Sequence, residues 1–413
     1  MSRRLARLLA SFSLLNADTN RRGKYISNPA LLGLCYNARR FVNWRVPAVK
    51  ITKMWTEIYR WKRNKPIRNG MYTYSDAGLN VVKIATDEGI TGIGLGGGMT
   101  DDGKVFQAIG AQFEQVVVGQ DPLNNEKIWD DLWQPKLIGR RGLTTRVISA
   151  IDNALWDVKG KAANMPVYKL LGGYSDSVPV YIAGGYYEEG KGLEDLAQEM
   201  EESVSMGAKA VKMKIGGAPI NEDVERVRVV REAIGPDIDL MVDANAAYRY
   251  YDAIKIAKRM EPYDVFWFEE PVNPDDYQGH KLVSQATSIP ISTGENEYTR
   301  YGFRDLIETR SVAILQPDPL IMGGITEIKK VAALAEAHDL PISPHGNQDI
   351  GVHVVAGVSN GLTVEYYRAS TDPMYDKWCM EPLQVDNGVV HPPDRPGLGI
   401  KLNDEVLEDL RVG

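Results

Sequence analysis

Three carboxylates, Asp243, Glu269 and Glu295, recur at intervals of 26 residues, and each closes a short apolar run. Brought together, three such charges repel one another unless a cation neutralises them, and an all-oxygen set with room for water suits Mg²⁺. Taken singly, each acid could instead cap the helix that follows it, where Asp and Glu are favourable. The equal spacing of the trio favours the metal.

Lys212 and Lys214 lie two apart in VKMKIGG, so a strand turns both side chains to one face. Ammonium groups that close disfavour each other's charge, and one of them can then be neutral near physiological pH and act as a base. Without the carboxylates the same pair would read as a solvated strand face. Asp318 and His345 end two later runs, in QPDP and SPHG. They can form a dyad in which the acid fixes the ring tautomer and raises its basicity, a second acid/base catalyst beside the lysines.

Such groups need elements that point them at one place. From about residue 178 to 367 the chain repeats a short run rich in Val, Ile and Phe, a polar or Gly/Pro break, and a longer stretch with helical spacing. The expected strands are 178–185, 210–216, 239–245, 265–271, 290–296, 313–319, 341–346 and 361–367. Between them, NEDVERVRVVREAIG and ITEIKKVAALAEAHDL repeat apolar residues at three and four, as helices packed on one face do. Alternating strand and helix implies a parallel sheet, and eight units can close it into a barrel. A doubly wound open sheet has the same pattern. The barrel is preferred because nearly every run ends in a charged or polar residue, Glu365 included, and a barrel converges those ends on one mouth.

Residues 49–170 behave differently. Two β-like runs, KITKMWTEIYRW and GLNVVKIATDEGITGIGLG, flank the polar stretch KRNKPIRNGMYTYSD, and the sequence then turns helical. This reads as an α+β capping domain, with 171–391 as the barrel and the tail 392–413 folding back on the cap. Residues 1–48 form a basic extension: ten of the first fifty residues are Lys or Arg, while Asp18 is the only acid. An Arg- and Ser-rich leader can be a targeting segment, but no clean small-residue cleavage site follows, and a tail or an over-extended start is the simpler reading.

Composition narrows the partners. At 413 residues, with 44% hydrophobic and 25% charged residues, the chain has the make-up of a globular protein large enough for a barrel and a lobe. A net charge of −7 argues against general nucleic-acid binding, which needs a basic face, so a small molecule is the expected partner. Cys35 and Cys379 are far apart and outside any metal-binding spacing, which suits a reducing cytoplasm. No apolar run reaches the roughly 18 residues a membrane span needs, so no membrane partner is expected.

The ordered string KxK, DxN, EEP, the Glu of TGEN, PDPLIMGGITE, PHG and a last-strand Glu resembles the mandelate racemase-like branch of the enolase superfamily. SAIDNALWDVKGKAANMPVYKLLGG resembles the helix leading into those barrels. The resemblance implies an α/β fold, a modified (β/α)₇β TIM-like barrel with an α+β capping domain, and Mg²⁺ on Asp243, Glu269 and Glu295. It implies Lys214 as one acid/base catalyst with Lys212 as its electrostatic partner, and His345 with Asp318 as the other. Glu365 corresponds to the acid that hydrogen-bonds the enediolate oxygen opposite the metal. A homo-oligomer is also expected.

Abstraction of a proton alpha to a carboxylate becomes feasible when a divalent ion and a hydrogen-bond donor stabilise the charge that develops. Catalysts on both faces leave two outcomes open. One is loss of the β-hydroxyl from an aldonate or aldarate, giving a 2-keto-3-deoxy acid. The other is racemisation, epimerisation or cycloisomerisation, and a non-catalytic binding barrel is a third reading. The polar stretch offers Lys65, Arg68, Asn69, Tyr72 and Tyr74 as a lid over the site, and with Asn245 these suit a polyhydroxylated acid better than an aryl one. A wet surface loop would be polar too.

Overall fold

The computed structural model describes residues 49–98, 103–133, 141–368 and 371–413, so the expected basic extension 1–48 lies outside the described residues. Strands β1 (Ile51–Arg68), β2 (Thr73–Thr86) and β3 (Thr91–Gly96) form an antiparallel sheet in that order. The polar stretch expected to separate two strands is itself strand. β1 continues through it for 18 residues in all, roughly 60 Å of extended chain. A register irregularity between Lys62 and Ile67 adjusts the pairing there. Since β3 pairs only with residues 80–85 of β2, the outer part of the β1–β2 hairpin is a two-stranded ribbon reaching beyond the sheet. Most of its side chains are polar and exposed, while Trp61 and Ile67 are buried.

Four helices follow: α1 (Lys104–Val117), α2 (Asn125–Leu132), α3 (Leu143–Ala163) and α4 (Val167–Leu171). Helix α3 is buried over most of its length and joins the sheet to what comes next. Asn153 Nδ2 donates both to Leu95 O on β3 (3.2 Å) and to Pro319 O (2.9 Å).

The chain then alternates through β4 (Val178–Gly184), α5 (Leu193–Ser205), β5 (Ala210–Lys214), α6 (Ile220–Ile234), β6 (Asp239–Asp243) and α7 (Tyr250–Met260). It continues through β7 (Val265–Glu269), α8 (Tyr277–Ala286), β8 (Ile291–Thr293), α9 (Thr299–Thr309), β9 (Ile314–Leu315), α10 (Gly324–Glu336), α11 (Gln348–Gly357) and β10 (Val364–Tyr367). The parallel sheet runs β10-β4-β5-β6-β7-β8-β9. Its two ends meet through Ile342, which bridges to Leu315 and to Gly361 in parallel sense and so closes a modified (β/α)₇β barrel.

The later strands are shorter than their apolar runs suggest, and 341–346 contributes bridges rather than a full strand. Pro317, Pro319, Pro341 and Pro344 lack the N–H a ladder needs, so pairing beside them is limited to bonds a carbonyl can accept, as where Leu315 N–H donates to Pro341 O at 3.1 Å. The barrel interior is floored by Tyr181, Met241, Trp267 and Ile314. After α12 (Tyr375–Trp378) and β11 (Val389–Val390), α13 (Asp404–Glu408) leads to a terminal stretch on the edge of β1. There Arg60 N–H donates to Leu410 O and Ile58 N–H to Gly413 O, both at 2.9 Å. Among the described residues no helix is long and apolar enough to cross a membrane.

Candidate active site

Parallel pairing sets Lys214 beside Asp243, Asp243 beside Glu269, and Glu269 beside Ser292, so successive strand ends carry these side chains into the barrel at one level. Glu295 follows β8 after Gly294, whose φ of +137° is a conformation that L side chains rarely adopt. Ligand oxygens of Asp243, Glu269 and Glu295 lie within 4.8 Å of one another, and all three residues are buried. Asp318 follows β9, His345 lies in the 341–346 stretch, and Glu365 sits on β10. The eight residues singled out from sequence for catalysis and metal binding therefore meet in one place.

Lys212 Nζ lies 2.9 Å from both oxygens of Glu269 and 2.8 Å from Glu365 Oε1. Lys214 Nζ pairs with Asp243 Oδ2. Burial works against the charge on each ammonium, but Glu269 and Glu365 outweigh it at Lys212 and Asp243 at Lys214, so both are held above the usual lysine range. Mutual repulsion by itself can leave one lysine neutral. Among the protein groups alone it does not, because each ammonium has a carboxylate closer than the other lysine's influence can offset.

His345 Nδ1 is 2.8 Å from Asp318 Oδ2, the expected dyad. Burial lowers the ring's proton affinity, but Glu295, Glu365 and Asp318 together push it up to about 10. Its Nε2 lies 3.2 Å from Glu295 Oε2. Glu365 accepts from Gly346 N–H at 2.9 Å. Burial favours its neutral form, yet Lys212, His345 and Lys214 pull it down to about 2. An ionised carboxylate only accepts hydrogen bonds, so a bond donated to an enediolate requires Glu365 to take up a proton first.

A cation fits the carboxylates. Glu269 is pushed up to about 8 by burial and then by Asp243, with Lys212 opposing, and Glu270 is raised by burial, Glu295 and Asp243. The protein's own cations thus leave negative charge uncompensated. Asn245 Oδ1 is buried without a hydrogen bond, and Glu295 Oε2 has only its ion-pair contact with His345. With their oxygens within 4.8 Å of one another, the three carboxylates would offer the hard oxygen donors that Mg²⁺ takes.

Sequence reading places Glu270, the second Glu of EEP, at a strand end but gives it no role, and it leaves out Asn296. Asn296 Nδ2 donates to both oxygens of Glu270, at 3.1 and 3.0 Å, and lies 3.3 Å from Glu295 Oε1. Glu270, Asn245 and Ala246 all hold left-handed backbone, with φ of 37°, 43° and 64°, strain of the kind that marks constrained sites. The doubled polar residues of EEP and TGEN were the available signal. Tyr186 was also missed: its ring lies 5.3 Å from Lys214 Nζ.

The residues expected to contact substrate divide. Tyr72, Tyr74 and Asn245 line a cavity of about 510 Å³ that opens over Glu295. Within it, Asn245 Nδ2 donates to Glu295 Oε1 at 3.2 Å. Asn69 shapes the hairpin tip, accepting from Met71 N–H and Tyr72 N–H and donating to Tyr74 Oη at 3.0 Å. Lys65 lines a separate cavity of about 480 Å³ with Tyr186, Lys191 and Arg368. Arg68 is engaged elsewhere, donating to Gly217 O at 2.9 Å and stacking on Tyr187.

Comparison with known proteins gives the family. Residues 51–172 match the mandelate racemase/muconate lactonizing enzyme N-terminal domain, and residues 195–406 match the enolase C-terminal domain-like family. The chain belongs to the enolase superfamily, in its mandelate racemase-like branch. Among its relatives in the superfamily, an arabinonate dehydratase of Saccharolobus solfataricus is 37% identical over 80% of this chain and 89% of its own length. A 3,6-anhydro-alpha-L-galactonate cycloisomerase of Streptomyces coelicolor is 36% identical over 88% of this chain and all of its own. The crystal structure of a Streptomyces coelicolor racemase with bound magnesium superposes with a TM-score of 0.83 at 34% identity, covering 88% of this chain and all of that one. This superfamily member is thus similar both to dehydratases and to isomerases.

Proposed function

We propose that this enolase-superfamily chain is an acid-sugar dehydratase that removes the proton alpha to the carboxylate of an aldonate or aldarate and expels the β-hydroxyl as water. The product is a 2-keto-3-deoxy acid. The placement of two acid/base groups, Lys214 on β5 and the His345–Asp318 dyad beside β9, around one carboxylate centre supports α-proton abstraction. The observation that carries dehydration is the hydroxyl- and amide-lined mouth, in line with the 37% identity to an arabinonate dehydratase. Among the protein groups alone both hold a proton. With a cation on the carboxylates that stabilise those protons, one group would be free to shed its own and take the α-proton while the other protonates the leaving hydroxyl.

Asp243, Glu269 and Glu295 would hold Mg²⁺, and the residues of the cluster fit it. When bound, the ion supplies charge that satisfies the three carboxylates and lowers the cost of charge developing on the substrate carboxylate. Lys212, fixed between Glu269 and Glu365, contributes a positive field from the barrel interior. His345 is held by Asp318 in one ring orientation, and as an imidazolium it can deliver a proton. The hydroxyl and amide groups of Tyr72, Tyr74, Asn69 and Asn245 around the mouth suit a polyhydroxylated chain.

A second reading, an isomerase, has support from the 36% identity to a cycloisomerase. Incubation with Mg²⁺ and a library of aldonic and aldaric acids, followed by semicarbazide detection, separates the two. A keto product with one acid establishes dehydration and identifies the substrate. Exchange of the α-proton in D₂O without a keto product establishes isomerisation instead. If Mg²⁺ and acid sugars bind yet neither signal appears, the barrel is a binding protein and both enzymatic readings fail.

A further inference from the structure

The hairpin tip is seated on the barrel by contacts that continue to Lys214. Arg68 and Tyr187 exchange two backbone hydrogen bonds of 2.9 Å each, an antiparallel bridge between the ribbon and the loop after β4. The Arg68 guanidinium lies 4.7 Å from the centre of the Tyr187 ring, and the guanidinium of Arg226 lies 4.0 Å from it. Arg226 is buried on α6, and its Nη2 donates to Gly185 O at 2.8 Å and to Lys214 O at 3.3 Å. The ring is fixed at its far end, where Tyr187 Oη donates to Asp223 and accepts Gly217 N–H at 3.0 Å. Asp223 in turn accepts Gly216 N–H at 2.9 Å and Tyr248 Oη–H at 3.1 Å. Next to this stack, Gly70 fits so closely that a Cβ there would lie 2.7 Å from both Ala244 O and the Ala247 Cβ.

The structure assigns Arg68, Tyr187 and Arg226 as positioning residues, a cation–aromatic–cation stack that ties the seating of the hairpin tip to the placement of Lys214. The assignment rests on the reading of Lys214 as an acid/base catalyst. Stacked guanidinium groups hold an aromatic ring by electrostatic attraction to its faces, and a planar guanidinium does this better than an ammonium. Displacement of the ring therefore loosens two things at once: the tip that carries Tyr72 and Tyr74 over the mouth, and the hydrogen bond to the carbonyl of Lys214. Misplacement of a reacting group by about 1 Å costs on the order of 100-fold in rate.

The test uses the full chain with Tyr187→Leu, Tyr187→Phe and Arg68→Met, read by amide hydrogen exchange and by steady-state kinetics with Mg²⁺ on the acid that the library identifies. In Tyr187→Leu, exchange at Arg68, Tyr187 and residues 214–217 should accelerate while β2 and β3 stay protected, and kcat should fall about 10- to 100-fold with KM raised. Tyr187→Phe keeps the ring and should restore most of kcat, although Gly217 N–H loses its acceptor. Arg68→Met removes the hairpin-side cation and its hydrogen bond to Gly217 O, and it carries the same two readouts should Tyr187→Leu fail to fold. Unchanged exchange at these amides, or faster exchange with wild-type kcat and KM, overturns the assignment. If the wild-type protein turns over no acid, the proposed reaction fails, and the exchange pattern alone then decides whether the stack holds the tip and the strand end together.

Discussion

At the scale of single residues, the site is a balance of buried charges in which each group's proton affinity is set by its neighbours. Lys214 ends β5 while His345 lies in the bridge-forming stretch 341–346, and the proposed mechanism gives them different roles, so their removal should be separable. Lys214→Ala and His345→Asn should each lower keto-acid formation by roughly 10²- to 10⁴-fold, the usual range for a lost acid/base catalyst. Exchange of the α-proton in D₂O then tells which of them removes the proton: the variant that loses exchange as well as product has lost the base. Asn296 makes a subtler prediction. It donates to Glu270 and Glu295, and loss of such a supporting partner weakens a metal by about 10- to 100-fold. Asn296→Ala should show that loss by calorimetric titration with Mg²⁺ while the fold, read by circular dichroism, is unchanged.

At the scale of elements, helix α3 joins cap to barrel through a buried acid. Asp152 accepts from Thr326 N–H at 2.8 Å and from Thr326 Oγ1–H at 2.5 Å, at the start of α10. Burial pushes its carboxyl up to about 7 despite those two bonds. The folded protein thus keeps a proton that the unfolded chain, with an ordinary value near 3.8, releases. Its contribution to stability is fully present below about pH 4 and is lost as pH rises through about 7. Thermal melts of the wild type should show this downward component between pH 4 and 7, and Asp152→Asn, which cannot titrate, should lack it. A slope that is the same in both proteins would mean that Asp152 is ionised throughout.

At the scale of the whole molecule, the terminal residues complete the cap. Three hydrogen bonds join residues 410–413 to Ile58 and Arg60 of β1, and Leu407 is fully buried beside Tyr59 and Trp61. Deletion of the last four residues exposes one edge of β1 to water and removes bonds worth about 1 kcal/mol each. The melting temperature should drop by several degrees, while kcat on the same acid stays within about twofold, since β1 ends far along the ribbon from residue 60. A large loss of kcat would show that the edge also governs the hairpin tip.

Much of this was legible in the amino-acid sequence. The run lengths determined alternating parallel strands and helices, and the polar residue at the end of each run favoured a β/α barrel with one mouth over an open sheet, because a parallel strand is uniformly apolar until it emerges at its C-terminal edge. Asp243, Glu269, Glu295, Lys212, Lys214, Asp318, His345 and Glu365 could be named from those ends, since a parallel barrel brings strand ends together whatever the loops do. Tertiary structure decided what depends on contacts between distant segments. Residues 62–76 look like a loop but form a ribbon, because backbone pairing across β1 and β2 needs no apolar face. Arg68 looked like a substrate ligand and instead grips Tyr187 and Gly217, partners more than a hundred residues away. The ionisation of the lysines was likewise beyond spacing alone: two like charges on one strand repel, but it is the carboxylates contributed by neighbouring strands that set the outcome.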